Sequence, residues 1–100
     1  MEVTIIKEDS KIKALLKGRI DTTTAGKFQQ DIEELFNAEK PDIELDCTDL
    51  EYTSSQGLRI FMLLQKSVSS KAGKMVMTSM RPQVKEVFDI TGFSNVIKII

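Results

Sequence analysis

The residues best suited to chemistry lie in Asp49-Leu50-Glu51-Tyr52-Thr53-Ser54-Ser55-Gln56-Gly57-Leu58, where consecutive hydroxyls precede a glycine and then a long apolar run. A serine placed before such a run serves as a helix N-cap, its oxygen accepting from an N–H of the first turn. With Ser55 as that cap, the acceptor contact is to Gly57 or Leu58. A phosphate on the same hydroxyl would add about −1.5 to −2 charges at the positive end of the helix without breaking it. Gly57 leaves out a side chain where another backbone can approach. On residue types alone the cap is the plain reading of Ser55, and the switch needs a further argument.

Other chemistries are poorly supplied. Cys47 is the only cysteine and lies in an apolar alternation, so it reads as a core thiol, and no internal disulfide can form. Histidine is absent, which removes the commonest general base and the commonest metal ligand. A serine nucleophile would have to use a lysine or a carboxylate as its base, so an enzyme is not expected. No G-x-x-x-x-G-K loop is present to cradle phosphates, and no cofactor is called for. The net charge of −1, with basic residues spread along the chain, gives no field for binding nucleic acid. Met62, Met75, Met77 and Met80 read as core filling rather than as a lipid-binding surface. No apolar run approaches the roughly 18 residues of a membrane span, and the N-terminus lacks a secretory pattern, so the expected location is the cytoplasm without membrane insertion.

The elements that must position the serines follow from periodicity. Glu2–Lys7 and Lys11–Lys17 read as a hairpin about Glu8-Asp9-Ser10, with Ile12, Ala14 and Leu16 alternating against lysines. A helix is expected from Thr23 to Ala38, after the cap-competent run Asp21-Thr22-Thr23-Thr24. Pro41 then admits a strand, Asp42–Cys47, followed by a polar loop through Asp49 and Glu51. The segment from Ser55 to about Ser70 is apolar on most sides and is expected to be the most buried helix, closed by Lys71-Ala72 and a left-handed Gly73. Lys74–Thr78 reads as a strand, Pro82–Ile90 as a helix ended by Gly92, and Val96–Ile100 as a last strand. The order β β α β α β α β predicts one α/β domain over residues 1–100, a five-stranded mixed sheet with helices mainly on one face. A monomer is expected, since every strand has a buried face to satisfy within the chain.

Three stretches, Leu16-Lys17-Gly18-Arg19-Ile20-Asp21, Asp49 through Leu58, and Gly73 through Val76 with Arg81 through Gly92, resemble the STAS domain family. Within that family the chain is most similar to bacterial anti-sigma factor antagonists. The resemblance implies a protein that binds an anti-sigma factor which is also a serine kinase, is released from it by phosphorylation, and is reset by a serine phosphatase. It implies Ser55, two residues before Gly57, as the phosphorylated residue, with Asp21 beside it and Thr53, Ser54, Gln56 and Gly57 completing the partner-binding surface. It also implies the same STAS-like fold. Two features depart from the family pattern: Ser54 stands where aspartate is common, and relatives often add a final helix. The alternative is a STAS domain that binds a partner constitutively, as in scaffold or transporter-associated versions, with Ser54 and Ser55 acting only as caps.

Overall fold

The sheet is built outward from its two longest strands. In the computed structural model, which describes residues 1–100, β2 (Lys11–Ile20) pairs antiparallel with β1 (Glu2–Glu8) and parallel with β3 (Asp42–Thr53). β4 (Lys74–Thr78) and β5 (Lys98–Ile99) continue in parallel, so the spatial order is β1-β2-β3-β4-β5. The connections carry α1 (Ala25–Asp31) with the short α2 (Glu33–Phe36), then α3 (Ser55–Ser70), then α4 (Pro82–Ile90). Each parallel crossover advances one strand in the same direction, and right-handed crossovers of that kind put their helices on one face. Phe28, Phe61 and Phe88 tie those helices together: the rings of Phe28 and Phe61 meet edge to face at 5.4 Å, and Phe88 follows at 5.8 Å from Phe61.

Strand alternation sorts the two faces. Ala14, Leu16, Ile43, Leu45, Cys47, Met75 and Met77 point beneath the helices and are buried. The opposite face is charged. Lys13 lies 3.8 Å from Glu44 and 3.7 Å from Asp46, Lys11 lies 3.5 Å from Glu44, and Thr78 donates to Glu44 at 3.0 Å. Exposed pairs of this kind stabilise little individually, but the row keeps the uncovered face from presenting a contiguous apolar patch.

The expected order of elements and the one-sided placement of helices are what the structure has, and the boundaries differ in instructive ways. β3 does not end at Cys47 in a loop; it runs to Thr53, because Leu50 is fully buried and the chain keeps pairing with β2 past two irregularities in register. The helix expected over Thr23–Ala38 is broken at Ile32, whose φ/ψ of −102°/10° separates α1 from α2. Neither glycine nor proline marks the break. α3 is amphipathic rather than buried all round, with Leu63 left exposed. The last strand contracts to Lys98–Ile99, since Phe93–Asn95 form a 3-10 turn and Val96 caps it.

The close of α3 uses a different residue from the one expected. Ala72, not Gly73, takes the left-handed conformation (φ 55°), and the amides of Ala72 and Gly73 return to Ser69 and Val68 in a Schellman arrangement. Gly73 is needed for space: a Cβ there would stand 2.4 Å from the Pro41 carbonyl oxygen. Lys71 reaches across to the Phe36 and Ala38 carbonyls and so satisfies the end of α2. Ala72→Gly is therefore expected to raise stability by about 0.5–1 kcal/mol, removing the left-handed penalty of an L-residue against some loss of chain entropy. Gly73→Ala should lower it by about 1–3 kcal/mol through the Pro41 contact. Chemical denaturation of the two variants checks both signs.

Candidate functional site

The site is assembled where β2 and β3 end together. Ile20 pairs with Thr53, and the Ser54 amide donates to the Ile20 carbonyl at 2.8 Å, so the chain leaves both strands at one level. Asp21 and Ser55 each follow by one residue a partner in that hydrogen bond. The expected juxtaposition of Asp21 with the Thr53–Gly57 segment at one sheet edge is thus a consequence of strand pairing.

The helix begins one residue earlier than the sequence suggests. Ser54 is the N-cap of α3: its backbone is extended (φ −82°, ψ 176°), its hydroxyl accepts from the Gly57 amide at 3.4 Å, and its carbonyl takes the first helical bond, from Leu58. Ser55 is already inside the first turn, exposed, and its hydroxyl makes no hydrogen bond. The assignment of Ser55 as cap is therefore corrected. Thr53, Ser54 and Ser55 are all cap-competent types, and β3 decides among them by holding Thr53 in the sheet and Ser54 extended through its amide bond to Ile20. Serine and aspartate are about equally good N-caps, so Ser54 fills the capping role that an aspartate there would fill.

Thr53 and Gly57 have an internal task. Thr53 is 3% exposed and Gly57 is buried, so neither side of this pair faces solvent in the free protein. A Cβ on Gly57 would lie 2.1 Å from the Thr53 hydroxyl and 2.8 Å from Ile20 Cγ2, so the glycine is required by close packing of α3 on the strand ends rather than by the approach of another molecule. Ser55 and Gln56 are the exposed members of the segment, and Ser54 is half-buried.

Asp21 is organised by its own loop. Its carboxylate accepts from the Thr23 hydroxyl at 2.7 Å, the Thr23 amide at 2.9 Å and the Thr24 amide at 3.2 Å. These bonds, that from the Thr23 hydroxyl foremost, hold the Asp21 carboxyl below the usual carboxylate range. Thr24 links the loop back to β2 by donating to the Arg19 carbonyl at 2.8 Å. Arg19 in turn lies over the Tyr52 ring, 4.5 Å from its centroid, a pair that sequence reading missed; the only signal for it was that both residues alternate outward at the ends of neighbouring strands.

This arrangement offers an exposed serine hydroxyl with no hydrogen-bond partner, at the same sheet edge as an Asp21 carboxylate already taken up by Thr23 and Thr24. No group of three or more histidine, cysteine, aspartate or glutamate side chains is placed to hold a metal ion. Cys47 is remote in character: it is fully buried, donates to the Leu45 carbonyl at 3.5 Å, and burial pushes its thiol up to about 12. No helix is long and apolar enough to cross a membrane.

The sequence profile of the STAS domain matches residues 6–100. The chain belongs to the STAS domain family. It is 29% identical over 99 residues to BtrV of Bordetella bronchiseptica, named as a candidate anti-sigma factor antagonist, covering 99% of this chain and 85% of that protein. It is 30% identical over 88 residues to the anti-sigma-B factor antagonist of Listeria monocytogenes, covering 88% and 77% of the two chains. Among solved structures, the anti-sigma factor antagonist SpoIIAA in its unphosphorylated form superposes with a TM-score of 0.80 over 99% of this chain and 88% of that one, at 16% identity. The phosphorylated form of the same Bacillus protein superposes at 0.73, over 99% and 91%, at 15% identity. Each of these relatives is named for a regulatory role, as an antagonist of an anti-sigma factor.

Three stability outcomes follow. Ser54→Ala should cost about 0.5–2 kcal/mol as a lost N-cap, whereas Ser55→Ala should stay within about 0.5 kcal/mol of wild type. Because the Asp21 pKa is depressed in the folded state, its contribution is present above the unfolded carboxylate value and is lost as pH falls through the lower folded value. Melting between pH 6 and pH 2 should therefore show a smaller acid loss in Asp21→Asn than in wild type. For the same reason charge reversal at Asp21 is expected to destabilise the α1 loop as well as to alter the surface.

Proposed function

We propose that this chain is an anti-sigma factor antagonist whose Ser55 is the phosphorylated residue. Unphosphorylated, it binds an anti-sigma factor that is also a serine kinase; the phosphate transferred to Ser55 releases it, and a serine phosphatase restores the binding form. The observation that carries this reading is the division of labour between adjacent serines. Ser54 is committed to capping α3, while Ser55 projects an exposed hydroxyl with no hydrogen-bond partner from the first turn. Modification at 55 leaves the cap intact, and the first turn carries no acidic residue that would repel a dianion. The fold therefore survives the modification and the surface changes sign locally.

The names of the relatives support the same reading, and SpoIIAA has been solved both with and without phosphate. The partner surface proposed is the exposed part of the strand edge, Asp21 with Ser54, Ser55 and Gln56. Thr53 and Gly57 act beneath it by fixing the entry angle of α3.

Titrating the cognate anti-sigma factor with unphosphorylated and Ser55-phosphorylated protein tests the proposal. Phosphorylation is expected to weaken binding at least about tenfold, equivalent to about 1.4 kcal/mol. Ser55→Ala is expected to bind and to remain unphosphorylated by the kinase. Equal affinity of the two forms would sink the switch and leave a constitutive binding domain.

A further inference from the structure

The arginines of this protein behave differently from its lysines. All six ion pairs are made by lysine side chains. Arg19 is stacked on Tyr52 and Arg81 donates to the Thr48 carbonyl at 3.1 Å, but Arg59 has neither an ion pair nor a hydrogen bond. It is exposed on α3, four residues beyond Ser55. At 3.6 residues per turn the two side chains are offset by only about 40° around the axis and are neighbours on one stripe. Arg59 lines an open groove of about 340 Å³ with Gly26 and Gln29 of α1 and with Gln56, and no carboxylate takes part in that lining. Asp21, the acid at this edge, is already held by Thr23 and Thr24.

The geometry points to Arg59 as the internal receiver of the Ser55 phosphate: a positioning residue that is free in the unmodified protein and is drawn into an intrahelical pair when Ser55 is modified. The inference rests on the reading of Ser55 as the phosphorylated residue. A guanidinium presents a planar fork suited to two phosphate oxygens, which a lysine ammonium does not match. Phosphorylation thus does two things at once on this stripe. It adds negative charge at 55, and it withdraws the one uncommitted guanidinium from the surface offered to a partner's acidic group. Lys66 lies on the same stripe, but about 16 Å further along the axis, beyond the reach of the phosphate.

The test uses full-length protein carrying phosphoserine installed at position 55 during translation, so no kinase is needed. The pH titration of its phosphorus resonance gives the second phosphate ionisation. That ionisation is expected about 0.3–1 unit lower in wild type than in Arg59→Gln, with Arg59→Lys intermediate and Lys66→Gln unchanged. Should Arg59→Gln fail to fold, the Arg59 Nε resonance of the wild-type chain replaces it, and must move on phosphorylation. Identical ionisation in wild type and Arg59→Gln, or an unmoved Nε resonance, overturns the inference. A shifted ionisation together with unchanged partner affinity would retain the Ser55–Arg59 pair and reject the switch; lost affinity without a shift would do the reverse.

Discussion

The hydrogen bond from the Ser54 amide to the Ile20 carbonyl fixes the geometry on which the functional edge depends. It is the last rung of the β2–β3 pairing, and it sets Asp21 and Ser55 on two chain segments leaving the sheet at the same height. α3 must then depart immediately over Ile20 and Thr53, and the only residue that lets it do so at position 57 is glycine. The cap at Ser54, the exposure of Ser55 and the burial of Thr53 all follow from that one crowded junction.

The electrostatics of the edge differ from those of the open sheet face. On the sheet, lysines of β2 and carboxylates of β3 are interleaved and neutralise one another at 3.5 to 3.8 Å. At the edge the acidic group is held by hydroxyls and amides, the arginines lack carboxylate partners, and a serine hydroxyl is unused. Charge is left uncompensated where a single added phosphate would have the greatest local effect, and it is compensated where the sheet has only to remain soluble.

Stability and switching are also separated along the chain. The residues that anchor the edge, Ile20, Thr53, Gly57 and the Phe28–Phe61–Phe88 row, lie in the core beneath the helices, whereas Ser55, Gln56 and Arg59 are exposed on the outer side of the same helix. A change of charge on the outer stripe therefore need not disturb the packing below it. This is the physical condition for a regulatory domain whose modified and unmodified forms share one fold.

Sequence alone determined the order of the elements, because alternation in Lys11–Lys17 and Asp42–Cys47 and the apolar spacing after Thr24 and Ser55 are local patterns with distinct periods. It also determined that Ser55 precedes a glycine by two residues and that no histidine chemistry is available. Tertiary structure alone decided which serine caps α3. Ser54 and Ser55 are equal in propensity, and the bond from the Ser54 amide to the Ile20 carbonyl, which keeps Ser54 extended at the end of β3, breaks the tie. It likewise decided that β3 continues through Asp49 and Glu51, since a strand with polar outward residues looks like a loop until Leu50 is seen to be buried against its neighbours. Close approach between distant segments, as of Gly57 to Ile20 or Gly73 to Pro41, leaves a glycine in the sequence but not the identity of what it must admit.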